Sequence, residues 1–158
     1  MGVSASGKST VAEALAMMWN LEWFDADDLH SPSNLEKMSA GLPLNDADRR
    51  PWLEAVGRSC ARFGPNGGVA ACSALKRTYR NQLRTFVPHV TFLHLTGPKE
   101  VLAARAAARQ DHFMPAALLD SQLAALEPLG TDERGFEVDA SFTVQRILAS
   151  AGARLAPT

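Results

Sequence analysis

Apolar positions along the chain fall into short runs separated by Gly, Pro, Asn and Asp. After Gly7, Val11, Leu15 and Met18 recur at helical spacing. Leu21 to Phe24 reads as a short strand ending at Asp25. Ser31 before Pro32 has the form of an N-cap and first helical position, so the pattern predicts a helix over 32–40, closed by Gly41. Asp46 to Phe63 reads as a helix carrying Trp52, Val56 and Cys60 on one face. Val69 to Cys72 is a second short strand, and Lys76 to Phe86 a further helix halted by Pro88. Val90 to Leu95 is the clearest strand, and a helix opens near Pro98 and runs to about Arg109. Another spans about Pro115 to Leu126, followed by a strand at Phe136 to Val138 and a helix from Phe142 to Ala151. Strands alternating with helices of ten or more residues predict an α/β fold, a parallel sheet covered by helices on both faces.

The 158 residues, 46% of them hydrophobic, are enough for one domain with a real core, and no linker divides them. Sixteen basic residues balance seventeen acidic ones, which argues against nucleic acid or a membrane surface as the main partner. No apolar run reaches transmembrane length. Cys60 and Cys72 stand twelve apart without a C-x-x-C pair, so neither a disulfide scaffold nor a zinc site is expected, and a reducing cytoplasm is the simple reading.

The strongest chemical signal lies at the start. Gly2-Val3-Ser4-Ala5-Ser6-Gly7-Lys8-Ser9 fits G-x-x-x-x-G-K-[ST], with Thr10 continuing into the helix. Glycines permit a tight loop whose N–H groups point at phosphate oxygens, and the helix start adds a positive dipole end. In this pattern Lys8 reaches the β- and γ-phosphates of a nucleotide and the Ser9 hydroxyl binds Mg²⁺. Such a loop normally follows a buried strand, yet only Met1 precedes Gly2. The expectation is therefore a P-loop fold whose first strand is missing, as in an N-terminally short form of a longer reading frame.

Beyond the loop the chain resembles the gluconate kinases among the P-loop small-molecule kinases. The matching stretches are Asp25 to His30, Asn34 to Met38, Gly41 to Leu53, Ala71 to Arg80 and His112 to Leu129. The resemblance implies an adenylate-kinase- or shikimate-kinase-like fold with five parallel strands, and transfer of the ATP γ-phosphoryl group to the 6-hydroxyl of D-gluconate with Mg²⁺. It also implies a mobile lid at about 105–127 and, in many members, a homodimer. Ala5 and Asp111 depart from the family pattern, each standing where glycine is usual. Rivals are a kinase of another small hydroxy acid such as shikimate, and a nucleotide-binding protein or truncated form without turnover.

Candidate roles follow. Asp25 and Asp27, two apart at the end of a strand, share a face if the chain stays extended. Asp25 is assigned to the metal shell and Asp27 to the substrate hydroxyl as base; the alternative is a solvated acidic turn. His30 is a candidate for the sugar-acid hydroxyls. Arg49 is the first candidate for the gluconate carboxylate, with an ion pair to Asp46 or Asp48 as its alternative. Lys76 and Arg80, four apart, would line the anionic site together. Arg105 and Arg109 would close from the lid onto the ATP phosphates, or simply complement a helix C-terminus. Cys72 and the Leu119-Leu123-Leu126 stripe read as packing.

Overall fold

The computed structural model describes residues 1–108 and 116–155. Seven α-helices and four strands are present among them: α1 (Lys8–Trp19), β1 (Glu22–Asp25), α2 (Pro32–Ser39), α3 (Asp46–Ala61), β2 (Gly68–Ala71), α4 (Arg77–Phe86), β3 (Phe92–Thr96), α5 (Lys99–Ala108), α6 (Ala116–Ala125), β4 (Gly135–Asp139) and α7 (Val144–Leu155). Their boundaries follow local chemistry. Asn20 ends α1 in the left-handed conformation, with its N–H returned to Ala16 and Met17 carbonyls. Ser31 caps α2 ahead of Pro32, and Asn45 and Asp48 form a reciprocal capping box at the start of α3. A 3₁₀ turn over Ala26–Leu29, which the sequence pattern does not announce, is capped by the Asp25 carboxylate.

Helices cover both faces of the strands, as expected. On one face Trp52, Leu53 and Val56 of α3 and Leu83 of α4 pack with Phe92. On the other, Val11 and Leu15 of α1 and Ile147 of α7 pack with Leu95 and Val138. A third cluster joins Val3 to Leu75, Leu102 and Leu119, tying the first loop to α5 and α6. The Leu119-Leu123-Leu126 stripe is therefore packing, and Cys72 is buried beside Ala74, its thiol pushed up to about 12 by desolvation.

The sheet comes in two halves. β1 and β2 pair in parallel from Glu22↔Gly68 to Asp25↔Ala71, and β3 and β4 from Phe92↔Gly135 to Thr96↔Asp139. No strand joins the halves among the described residues. Between β2 and β3 lies a cavity of about 450 Å³ lined by Met1, Leu15, Trp19, Val56, Leu83 and Leu93 among others. Only the residues leading into the first loop cross it at one end. The Met1 N–H group donates to Leu93 O, Met1 O accepts from Leu95 N at 2.9 Å, and Gly2 N donates to Ser73 O at 3.2 Å.

Candidate active site

The loop Gly2–Ser9 leaves that crossing and turns back onto α1. Gly2 has φ 141°, and a Cβ there would come within 2.7 Å of Leu95 O, so close backbone approach demands glycine. Gly7 is left-handed at φ 91° and opens α1 with no side chain capping its N–H groups. Ala5 is also left-handed, at φ 61°, which is strained for any residue with a Cβ. Lys8 Nζ donates to Val3 O at 3.0 Å, folding its ammonium back over the loop. The Ser6 hydroxyl is buried and has no hydrogen-bond partner among the described residues. An uncapped helix start, an orphan hydroxyl and a folded-back lysine are the features of a cradle suited to phosphate oxygens.

The loop meets β1 directly. Ser9 Oγ donates to Asp25 Oδ2, while Asp25 Oδ1 accepts the Asp27 N–H at 3.0 Å. The two residues assigned to the metal shell thus stand side by side. Among the described residues no group of three or more His, Cys, Asp or Glu side chains could hold a metal ion. Two protein ligands suit Mg²⁺, which commonly completes its octahedron with substrate phosphates and water. Asp27 does not share an extended face with Asp25. The Asp25 cap turns the chain into the 3₁₀ turn, and the Asp27 carboxylate projects to solvent, 69% exposed.

On the acceptor side, polar side chains bind three helices together. His30 stacks on Trp52 with ring centroids 4.4 Å apart, and its Nδ1 lies 3.3 Å from Asn34 Nδ2. Burial pushes the His30 imidazole below its usual value, against the opposing pull of Asp27, and Arg49 pushes the same way as burial. Lys37 pairs with Asp48 at 2.7 Å, and Lys76, standing just ahead of α4, pairs with Asp46 at 2.7 Å. Tyr79 donates its hydroxyl to Asp46, and the Arg49 guanidinium and the Lys76 ammonium both approach its ring, 5.7 and 5.5 Å from the centroid. Asp46 is held below the usual carboxylate range by the Lys76 hydrogen bond first and by that of Tyr79 second. The expected alternative for Arg49, an ion pair with Asp46 or Asp48, is not what forms: both acids are engaged elsewhere, and Arg49 Nη1 donates to Leu44 O.

One assignment is overturned. Arg80 does not line an anionic site with Lys76. It is fully buried, donating to both Glu133 oxygens at 2.8 and 2.7 Å and to the carbonyls of Ala74, Leu75, Glu127 and Pro128. With Nε–H and both NH₂ groups engaged, it has no donor for a ligand. Arg84 adds a second cation to Glu133 at 2.7 Å, and Arg77 pairs with Asp132 at the surface. In the lid region Arg105, near the end of α5, donates to Ala140 O at 2.7 Å. Arg109, Asp111, His112 and Phe113 lie outside the described residues. The sequence reading missed Tyr79, the single tyrosine of the chain, and Gln122, whose Oε1 accepts the Ser4 N–H at 2.7 Å. An aromatic residue between two matched cations was the available signal for Tyr79; Gln122 had none.

Loop, helix start and Ser9–Asp25 pair define a P-loop small-molecule kinase, and a family model described as shikimate kinase matches residues 4–134. The chain is 49% identical over 136 residues to a gluconokinase of Gluconobacter oxydans, spanning 84% of this chain and 76% of that one. It is 46% identical over 136 residues to the thermosensitive gluconokinase of Escherichia coli, spanning 85% and 73% respectively. A crystal structure of a gluconokinase from Sinorhizobium meliloti superposes with a TM-score of 0.90 at 44% identity, covering 99% of this chain and 89% of that one. The chain belongs to the gluconokinase family.

Proposed function

We propose that this chain transfers the γ-phosphoryl group of ATP to the 6-hydroxyl of D-gluconate, as a cytoplasmic Mg²⁺-dependent kinase. The observation that carries the reading is the Ser9–Asp25 contact, which sets the phosphate cradle against the acidic turn bearing Asp27. The gluconokinase relatives supply the acceptor.

The hydroxyl oxygen attacks the γ-phosphorus, the bond from that phosphorus to the bridging oxygen breaks, ADP departs, and the hydroxyl proton passes to the Asp27 carboxylate. Gly2 to Thr10 hold the phosphates, through the loop N–H groups and the first turn of α1. Lys8 leaves Val3 O to neutralise charge on the transferring group, and Arg105, with Arg109 beyond it, supplies further positive charge from the lid. Ser9 and Asp25 would hold Mg²⁺, which would neutralise phosphate charge. Arg49 and Lys76, both near the Tyr79 ring, take the gluconate carboxylate, and His30 orients its hydroxyls. Shikimate is the rival acceptor named by the family model.

The test is a coupled ATP-consumption assay with gluconate and shikimate in parallel, run beside Asp27→Asn. Gluconate turnover, with Asp27→Asn lowering kcat by about 100-fold while KM for gluconate changes little, supports the reading. Turnover of shikimate alone sinks the acceptor assignment, and an undiminished Asp27→Asn sinks the base.

A further inference from the structure

The Asp48 carbonyl settles which way the Asn34 amide lies. Asn34 is buried, and one terminal atom of its side chain is 3.1 Å from Asp48 O and 3.3 Å from His30 Nδ1. A carbonyl oxygen only accepts, so the atom facing it is the amide nitrogen; the flipped amide would set two oxygens against each other. That nitrogen carries two hydrogens. One goes to Asp48 O and the other points at His30 Nδ1, which therefore accepts and carries no proton. The single proton of the neutral imidazole is then on Nε2. An imidazolium would set an Nδ1–H against the Asn34 N–H and lose that bond.

The surroundings hold the ring in that state. Asp48 and Trp52 stand one turn apart on α3, so a single turn supplies both the carbonyl that orients Asn34 and the indole on which His30 stacks. Trp52 Nε1 donates to Ala26 O at 2.6 Å, which fixes the indole, and the two rings lie within 11° of parallel. Asn34 is itself placed by the cap of α2, its backbone N–H donating to Ser31 Oγ at 3.2 Å. The imidazole is thus gripped on one face and at Nδ1. Its other nitrogen, Nε2, is 3.9 Å from Asp27 Oδ1, beyond hydrogen-bond reach, so the Nε2–H is not spent on that carboxylate. Asp27 and Arg49 are the charged groups that face the ring: burial and Arg49 work against an imidazolium, and Asp27 favours it. The Asp48 carboxylate is engaged by Lys37 and by the Asn45 N–H.

We propose that Asn34 is a positioning residue for the acceptor: sharing one amide nitrogen between Asp48 O and His30 Nδ1, it fixes His30 as an N–H donor at Nε2, so that His30 offers a hydrogen bond to an oxygen of the sugar acid and takes no proton from it. The proton of the attacking hydroxyl is then left to Asp27, and the site admits a ligand that presents an acceptor oxygen to His30. The choice of ligand rests on the gluconate kinase reading; the tautomer does not.

The test begins without substrate. Ring-labelled histidines are read by long-range proton–nitrogen NMR on the full chain, with His30 assigned by the resonances lost in His30→Gln. At about pH 7 the wild type is expected to show a protonated Nε2 and a bare Nδ1. Asn34→Asp, whose carboxylate accepts where the amide donated, is expected to put a proton on Nδ1 at the same pH. An Nδ1–H or an imidazolium in the wild type overturns the proposal, whether or not the variant folds. So does an unchanged tautomer in folded Asn34→Asp. In the kinase assay Asn34→Ala is expected to raise KM for gluconate about 3- to 10-fold, the worth of one neutral hydrogen bond, with KM for ATP unchanged. In a His30→Gln background, where no tautomer has to be set, the same substitution should change KM little. Equal fold-changes in the two backgrounds make Asn34 a packing residue and overturn the proposal. The expected tautomer in a chain without gluconate turnover upholds the role of Asn34 and sinks the acceptor reading; the wrong tautomer with normal turnover does the reverse.

Discussion

The acceptor side and the centre of the sheet are held together by opposite means. Around α2, α3 and α4 side chains supply the cross-links: Asn34 to the Asp48 carbonyl, Lys37 to the Asp48 carboxylate, Lys76 and Tyr79 to the Asp46 carboxylate, and Trp52 Nε1 to Ala26 O. The middle of the sheet has three backbone bonds around Met1 and Gly2 beside a 450 Å³ cavity. Side-chain cross-links fix the cations of the acceptor side before any ligand arrives, which spares the ordering cost on binding. The loop, by contrast, draws its position from a sheet whose halves do not touch across the centre. Side-chain hydrogen bonds thus dominate around α2, α3 and α4, and backbone bonds where the phosphate loop leaves the sheet.

The sharpest way to break that contrast is to cut the densest node. Glu133→Ala leaves Arg80 charged and buried without a counter-ion, and removing one partner of such a pair typically costs about 3–5 kcal/mol. Denaturant unfolding is expected to show that loss with KM for gluconate nearly unchanged, because Arg80 holds the fold and not the substrate. The same pair has a pH signature. Hydrogen bonding from Arg80, the largest cause, holds the Glu133 carboxyl far below its ordinary value of 4.5. A depressed carboxyl contributes stability that is present above the ordinary value and is lost as pH falls below it. Glu133→Ala should therefore lose part of the wild-type decline in stability below about pH 4.5.

Lys8→Ala comes next. Removing a donor aimed at developing charge costs about 100- to 1000-fold in rate. Expected are a folded protein by circular dichroism and a kcat reduced to that extent; normal turnover would move the ATP site elsewhere. Arg49→Ala is the matching cut on the acceptor side. A charge-assisted hydrogen bond is worth about 1.5–3 kcal/mol, so KM for gluconate should rise about 10- to 100-fold with KM for ATP nearly unchanged. An equal rise for both substrates would make Arg49 a support of Tyr79 rather than a contact. The smallest effect tests the loop's own strain. Ala5→Gly removes a Cβ from a left-handed residue and should raise stability by about 1 kcal/mol, measured as the urea midpoint at constant slope.

The two sides also differ in how far the sequence revealed them. The loop was legible because its chemistry is local: Gly2, Gly7, Lys8 and Ser9 are fixed by a backbone turn eight residues long. Ser9 and Asp25 were assigned to one shell and do meet. Arg80 was misread because helical spacing places it near Lys76 but says nothing of Glu133, whose carboxylate arrives from 53 residues away. Asp27 was drawn as an extended neighbour of Asp25, whereas a carboxylate that caps its own chain two residues on converts the strand end into a turn. The bonds that Met1 and Gly2 make were not legible, since their partners lie some 70 to 90 residues later.

The bond from the Ser4 N–H to Gln122 Oε1 joins the cradle to α6. An amide serves one acceptor well. Any phosphate oxygen that claims the Ser4 N–H must first evict Gln122, which removes one of the ties between α6 and the loop and leaves the packing of Val3 with Leu119. Loop occupancy and helix position are on this account linked equilibria, and linkage runs both ways: whatever draws α6 off the loop lends affinity to the anion by the same factor. A single glutamine thus makes the Ser4 amide a point at which α6 and an anion in the loop would compete.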